Sequence, residues 1–240
     1  IYIMKEVELL KKKKAWYKRW WGITVIVFLV FLVLILAFFS YQVSSIYKEM
    51  KAGSYLSGEA PYNMELFIDE LSPSWGSDDA VVKIVEFGDF NCARCLQFYP
   101  VQKRLKEKYG DKIKFYWRNY PVVKESSANF ALAGICAERQ DLFWPLHDSF
   151  FQLQGTISLG DIEQLAEEVG VDLEKYKECL DHSLTMSQLR KDYFAAQDGE
   201  VMGTPTFIIN GYKIEGAIAF EAMDAVVQKF LTTYESDNAN

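Results

Sequence analysis

The sequence predicts a mixed α/β domain, ordered βαβ, helical insertion, ββα, behind one N-terminal transmembrane helix. Three observations predict it. Residues 20–39, WWGITVIVFLVFLVLILAFF, form an uncharged apolar run. Residues 81–120 read strand, helix, strand. After a strandless stretch over 124–198, strand character returns at TPTFIIN, residues 204–210.

The apolar run comes first. As a helix rising about 1.5 Å per residue it spans roughly 30 Å, the thickness of a hydrocarbon core. No face of it is polar, which disfavours a buried core helix. Trp16, Tyr17, Trp20 and Trp21 make an aromatic belt at its start, and Tyr41 and Tyr47 stand near its end. Residues 1–21 carry seven basic groups and two acidic ones, a net of +5, whereas the rest of the chain stands at −12. A cationic flank is retained in the cytoplasm, so segment 1–19 is expected inside and everything after the 20–41 anchor outside. Ala37-Phe38-Phe39 makes a poor cleavage site and the run exceeds a signal h-region, so the anchor is expected to remain uncleaved. The acidic body argues against nucleic-acid binding, despite the Lys11–Lys14 run. Half the chain is hydrophobic and 25% charged, which excludes a disordered or collagen-like polymer.

Residues 42–79 read as an extracytoplasmic tether, with SGEAP and SPSWGSDD as breakers and Asn63–Leu71 as a turn or two that docks on the domain. The domain itself is expected over 80–234. VVKIVEF (81–87) and KIKFYWRNY (112–120) are β-branched and aromatic strands. Ala93–Tyr109 has helical spacing between them, so the unit is βαβ with parallel strands. In the insertion, SSANFALAGICAERQ and LFWPLHDSFFQLQ suggest one long or kinked helix interrupted at Pro145. Ser158 and Asp161 form a capping box, Gly170 closes that helix, and Asp172 opens the next. Asn210-Gly211 signals a type I′ hairpin. An amphipathic helix closes the domain, and ESDNAN (235–240) reads as a frayed tail.

All four cysteines follow the membrane segment, which suits a compartment where disulfides persist. Cys92-Ala93-Arg94-Cys95 lies where the first strand gives way to the first helix. There Cys92 meets free amide donors and the positive end of the helix dipole, both favouring thiolate. Arg94 adds a cation expected to favour it further. Cys95 is placed to close a small disulfide or to resolve a mixed one. A zinc site would need two further ligands, and the two histidines, His147 and His182, offer no ligand-spaced cluster. His147 reads as a packing residue, and His182 lies near a helix end where a cation is favourable. No P-loop, dinucleotide fingerprint or G-x-S-x-G elbow occurs, so no cofactor or metal is expected. Cys136 and Cys179 read either as a disulfide stapling the insertion, the preferred reading, or as two buried thiols. Closing 43 residues would contribute on the order of 3–4 kcal/mol. Glu86 either faces inward beneath the redox pair, able to relay the Cys95 proton, or faces solvent. Asp89 reads as a turn or cap residue. Thr204-Pro205 reads either as a plain turn or as a backbone edge for an extended substrate.

The segments VVKIVEFGDFNCARC, RNYP, ALAGICAERQDLFWPLHDSFF, YKECLD and VMGTPTFIINGYKIEG, in this order over about residues 75–234, resemble the DsbA-like branch of the thioredoxin superfamily, particularly its membrane-tethered members. The resemblance implies a thioredoxin-like fold containing the insertion and a redox disulfide Cys92–Cys95, with Cys92 as nucleophile and Cys95 as resolving cysteine. It also implies a cis Thr204–Pro205 loop facing the pair, Glu86 as a buried proton-relaying acid, and a structural disulfide Cys136–Cys179. It departs in having Ala93-Arg94 where many strongly oxidising members have Pro-His or Pro-Ser. The expected activity is donation of the Cys92–Cys95 disulfide to unfolded or cysteine-containing exported proteins in a bacterial cell envelope. An integral-membrane, quinone-linked partner of the DsbB or vitamin-K-epoxide-reductase type would reoxidise it. The alternatives are a reductase or isomerase using the same cysteines, and a redox-inactive substrate-holding or assembly factor.

Overall fold

The computed structural model describes residues 20–55 and 62–238. The basic segment 1–19, residues 56–61 of the expected tether and the last two residues of the tail lie outside the described residues. Helix α1 covers Trp20–Tyr55. Its stretch Ile23–Ser44, with mean hydropathy 3.2 and side chains unburied, is long and apolar enough to cross a membrane.

The second unit is a five-stranded sheet with helices packed around it. Its elements are β1 (Ser74–Trp75), β2 (Val82–Gly88), α2 (Ala93–Tyr109), β3 (Ile113–Asn119), α3 (Ser127–Glu138), α4 (Phe143–Gln152), α5 (Ile162–Glu168), α6 (Leu173–Asp181), α7 (Ser183–Asp198), β4 (Thr206–Ile209), β5 (Tyr212–Glu215) and α8 (Phe220–Asn238). Strand order is β1-β3-β2-β4-β5. β2 and β3 run parallel from Val82↔Ile113 to Gly88↔Asn119, whereas β4 returns antiparallel to β2, with Glu86 opposite Phe207. Asn210 (φ 45°) and Gly211 (φ 90°) turn β4 into β5 as a type I′ hairpin requires.

Alternation along β2 splits the core. Val82 and Ile84 pack with Phe98, Leu105, Phe207, Met223 and Val227 beneath α2 and α8. Val85 and Phe87 pack on the opposite face with Ala195, Ala196 and Phe67. Glu86 therefore shares the α2 face with Ile84. The insertion has its own aromatic core of Phe90, Trp117, Phe143, Phe150 and Phe151. Gly88 lets that core meet the sheet, because a Cβ there would stand 2.1 Å from the Trp117 ring.

Four expectations are corrected. The folded unit begins before residue 80: Asn63–Leu71 docks as expected, with Phe67 buried against Phe87, but Ser74–Trp75 also joins as an edge strand antiparallel to β3, with Trp75 stacked on Phe115 at 5.2 Å. A two-residue strand among Ser, Pro and Gly carries too little pattern to be read. Pro145 does not interrupt a helix. α3 ends at Glu138, Asp141 turns the chain at φ 59°, and Pro145 sits in the first turn of α4, where an N–H would have no partner. His182 does lie at the end of α6, but its side chain serves the next helix, Nδ1 capping α7 by accepting the Leu184 N–H at 3.2 Å. The expected frayed tail is helical as far as Asn238. The capping box at Ser158 and the Asp172 cap form as expected.

Candidate active site

The site gathers at the carboxyl end of β2, the start of α2 and the loop entering β4. Cys92 is the N-cap of α2 in extended conformation, and its Sγ accepts the Cys95 N–H at 3.4 Å. The Cys92 N–H is held by the Asp89 carbonyl at 2.9 Å. From the other side comes the Thr204–Pro205 peptide, which is cis. As a thiol, Cys92 donates to the Thr204 carbonyl at 3.2 Å. Two bonds brace that loop: Thr206 Oγ1 donates to the Gly203 carbonyl (2.7 Å), and the Gly216 N–H to the Pro205 carbonyl (2.8 Å).

Cys92 and Cys95 are free thiols here, with contrasting acidity. The Cys92 pKa falls to about 5. The largest cause is a hydrogen bond from the Cys95 thiol; the Thr204 side chain and the Cys95 and Arg94 N–H groups add to it against the opposing effect of burial. Cys95 moves the other way. Burial, the bond to Cys92, and the charges of Glu86 and Cys92 push its thiol far up. Glu86 is buried, so desolvation first and the Cys92 charge second hold its carboxyl well above the usual range.

Arg94 departs from expectation. Its backbone N–H helps Cys92, but its guanidinium is not among the causes of the lowered pKa. The side chain is exposed and reaches the turn after β5, with Nη1 3.4 Å from where a Cβ on Gly216 would stand.

Cys136 and Cys179 are bonded, with Cα atoms 5.7 Å apart. His147 is buried among Phe90, Trp117, Trp144 and Phe151 rings, and its Nδ1 lies 3.1 Å from Asp148 Oδ1. Asp89 is the turn residue: Oδ1 accepts the Asn91 N–H, and Oδ2 accepts those of Val122 and Val123 at 2.9 and 2.8 Å. Sequence reasoning missed Gln154, which follows α4. Its Nε2 donates to the carbonyls of Phe90 (2.7 Å) and Cys92 (3.1 Å).

Comparison with known proteins agrees with this geometry. Residues 69–229 match the family described as Thioredoxin. The chain belongs to the thioredoxin family. It is 36% identical over 163 residues to the probable disulfide bond formation protein D of Bacillus anthracis, covering 61% of this chain and 73% of that protein. The crystal structure of oxidised BdbD from Bacillus subtilis superposes with a TM-score of 0.63 at 26% identity, covering 72% of this chain and 97% of that one. The domain is thus of the DsbA/BdbD thiol–disulfide oxidoreductase type. It is also 32% identical over 154 residues to the Na(+)/H(+) antiporter NhaA 1 of Salinispora arenicola. There the match covers 63% of this chain but spans only about a quarter (24%) of the antiporter's length.

Proposed function

We propose that this protein is a membrane-anchored disulfide donor, with α1 as a single-pass anchor, the amino terminus cytoplasmic and the thioredoxin domain outside. The observation that carries the reading is the asymmetry of the two thiols. A thiol with a pKa near 5 is a good leaving group, and a stabilised thiolate favours the reduced protein, which makes its disulfide oxidising.

The steps follow from that asymmetry. A thiolate of an unfolded exported protein attacks Cys92 Sγ of the Cys92–Cys95 disulfide. The S–S bond breaks, a mixed disulfide forms at Cys92, and Cys95 leaves as a thiolate. Its high proton affinity means that it takes up a proton at once, and the Glu86 carboxyl on the same face, whose own proton affinity is raised by burial, is the donor the site offers. A second client thiolate then attacks the client sulfur of the mixed disulfide. The client leaves oxidised, and Cys92 departs as a stable thiolate. The two electrons gained are returned to an integral-membrane, quinone-linked partner of the DsbB or vitamin-K-epoxide-reductase type. The cis Thr204–Pro205 loop presents its backbone edge to the client beside Cys92.

The reduction potential of the Cys92–Cys95 couple tests the direction of electron flow. The full chain in detergent is equilibrated in glutathione buffers, and the two cysteine pairs are resolved by mass spectrometry. A value around −120 mV or somewhat lower, well above glutathione, supports a donor. A value near −270 mV, as for thioredoxin, makes the chain a reductase.

A further inference from the structure

One side chain of the insertion, Gln154, reaches the backbone of the redox loop. Gln154 lies beyond α4, half-buried and 62 residues from Cys92, beside Gly155 at φ +87°. The two N–H groups of its amide are divided between two carbonyls, those of Phe90 at 2.7 Å and of Cys92 at 3.1 Å. These carbonyls flank Asn91, so one amide spans the turn that delivers Cys92 to the start of α2.

The other side of the turn is tied to the β3–α3 connection. The Asp89 carboxylate holds Asn91, Val122 and Val123, and Asn91 Nδ2 donates to Ser127 Oγ at 3.2 Å. The Cys92 carbonyl also accepts the Leu96 N–H at 3.1 Å, the first bond of the helix. A second donor on this oxygen fixes the Cys92 peptide plane, and with it the direction of the Cα–Cβ bond. Sγ is thereby aimed at the Cys95 N–H.

We propose that Gln154 is a positioning residue for Cys92, through which the helical insertion sets how strongly the Cys92 thiolate is held and hence the balance between dithiol and disulfide. The proposal rests on the thiol–disulfide reading above. Its chemistry requires no contact between Gln154 and a client. With the amide lost, the carbonyls of Phe90 and Cys92 turn toward water, the N-cap loosens, and Sγ spends less time on its donors. The dithiol then loses stabilisation that the disulfide never had.

The test compares the unmodified full chain in detergent with Gln154→Leu, which keeps bulk and removes both donors, and Gln154→Lys, which restores a donor of similar reach. The first readout is the pH dependence of Cys92 alkylation by iodoacetamide, followed by mass spectrometry; it needs no client and survives failure of the donor reading. The second is the equilibrium constant with glutathione. Gln154→Leu is expected to raise the Cys92 pKa and shift the equilibrium three- to tenfold toward the disulfide; tenfold corresponds to about 30 mV. Gln154→Lys is expected to return both readouts to the unmodified values or beyond. The proposal is overturned by a folded Gln154→Leu chain whose two readouts stay within twofold of the unmodified chain. Equal effects of Leu and Lys also overturn it, because bulk rather than donation would then be responsible.

Discussion

The chain carries two cysteine pairs in one apolar cluster, and they differ in almost everything except burial. Cys92 and Cys179 are 6% and 7% exposed, so accessibility does not separate a reactive sulfur from an inert one. Helix polarity does. Cys92 caps the start of α2, where N–H groups have no partners and the dipole is positive. Cys136 and Cys179 each lie in the last turn of their helices, α3 and α6, where free carbonyls and the negative end of the dipole disfavour a thiolate. A thiolate at Cys92 is an accessible state, whereas at the second pair the stable form is the bond. The same side chain becomes reagent or staple according to which end of a helix holds it.

The largest effect expected from this contrast belongs to Cys92→Ala. Oxidation of a dithiol peptide, read by mass spectrometry, should stop, while the thermal transition of the reduced chain moves little. Full activity in that variant would sink the mechanism.

The paired change Cys136→Ala with Cys179→Ala should do the reverse. Opening a 43-residue loop should cost about 3–4 kcal/mol in denaturant unfolding, while Cys92 alkylation keeps its midpoint near pH 5. A raised midpoint in the still-folded variant would show that the staple reaches the redox site, and the division into reagent and staple would fail.

The same contrast explains what could be read from the sequence. Cys-x-x-Cys at a strand-to-helix junction is a local signal, and the helix start it implies brings the Cys95 thiol and backbone N–H groups onto Cys92. The strands at 82–88 and 113–119, α2 and the Asn210-Gly211 hairpin were legible for the same reason: period, propensity and turn chemistry agree locally. Glu86 was half legible. Alternation put it on a face, but only the packed sheet shows that this face lies under α2. Gln154 left no sequence signal, because its partners lie 62 and 64 residues away and a glutamine in a loop is ordinarily solvated. The docking of Asn63–Leu71 was legible, but the edge strand Ser74–Trp75 was not, for another reason. Its pairing depends on β3 supplying an edge, which is not written in the segment itself.

Arg94 gives the smallest expected effect and the sharpest check on the comparison. A cation between two cysteines invites the view that charge, rather than helix polarity, activates Cys92. Yet the guanidinium is exposed and lies at the Gly216 turn, and the donors acting on Cys92 are the Cys95 thiol, the Thr204 side chain and backbone N–H groups. Exposed charges are also screened over about 8–10 Å in physiological salt. Arg94→Ala leaves its own N–H in place, so the midpoint of Cys92 alkylation should move by no more than about 0.3 units (1.36 kcal/mol per unit). The measurement belongs at both low and physiological ionic strength. A shift of a full unit at low salt that collapses on adding salt would assign the activation to the side chain. An unmoved midpoint in both would leave the Cys95 thiol, the Thr204 side chain and the N–H groups of the helix start, none of which depends on the side chain at position 94, as the source.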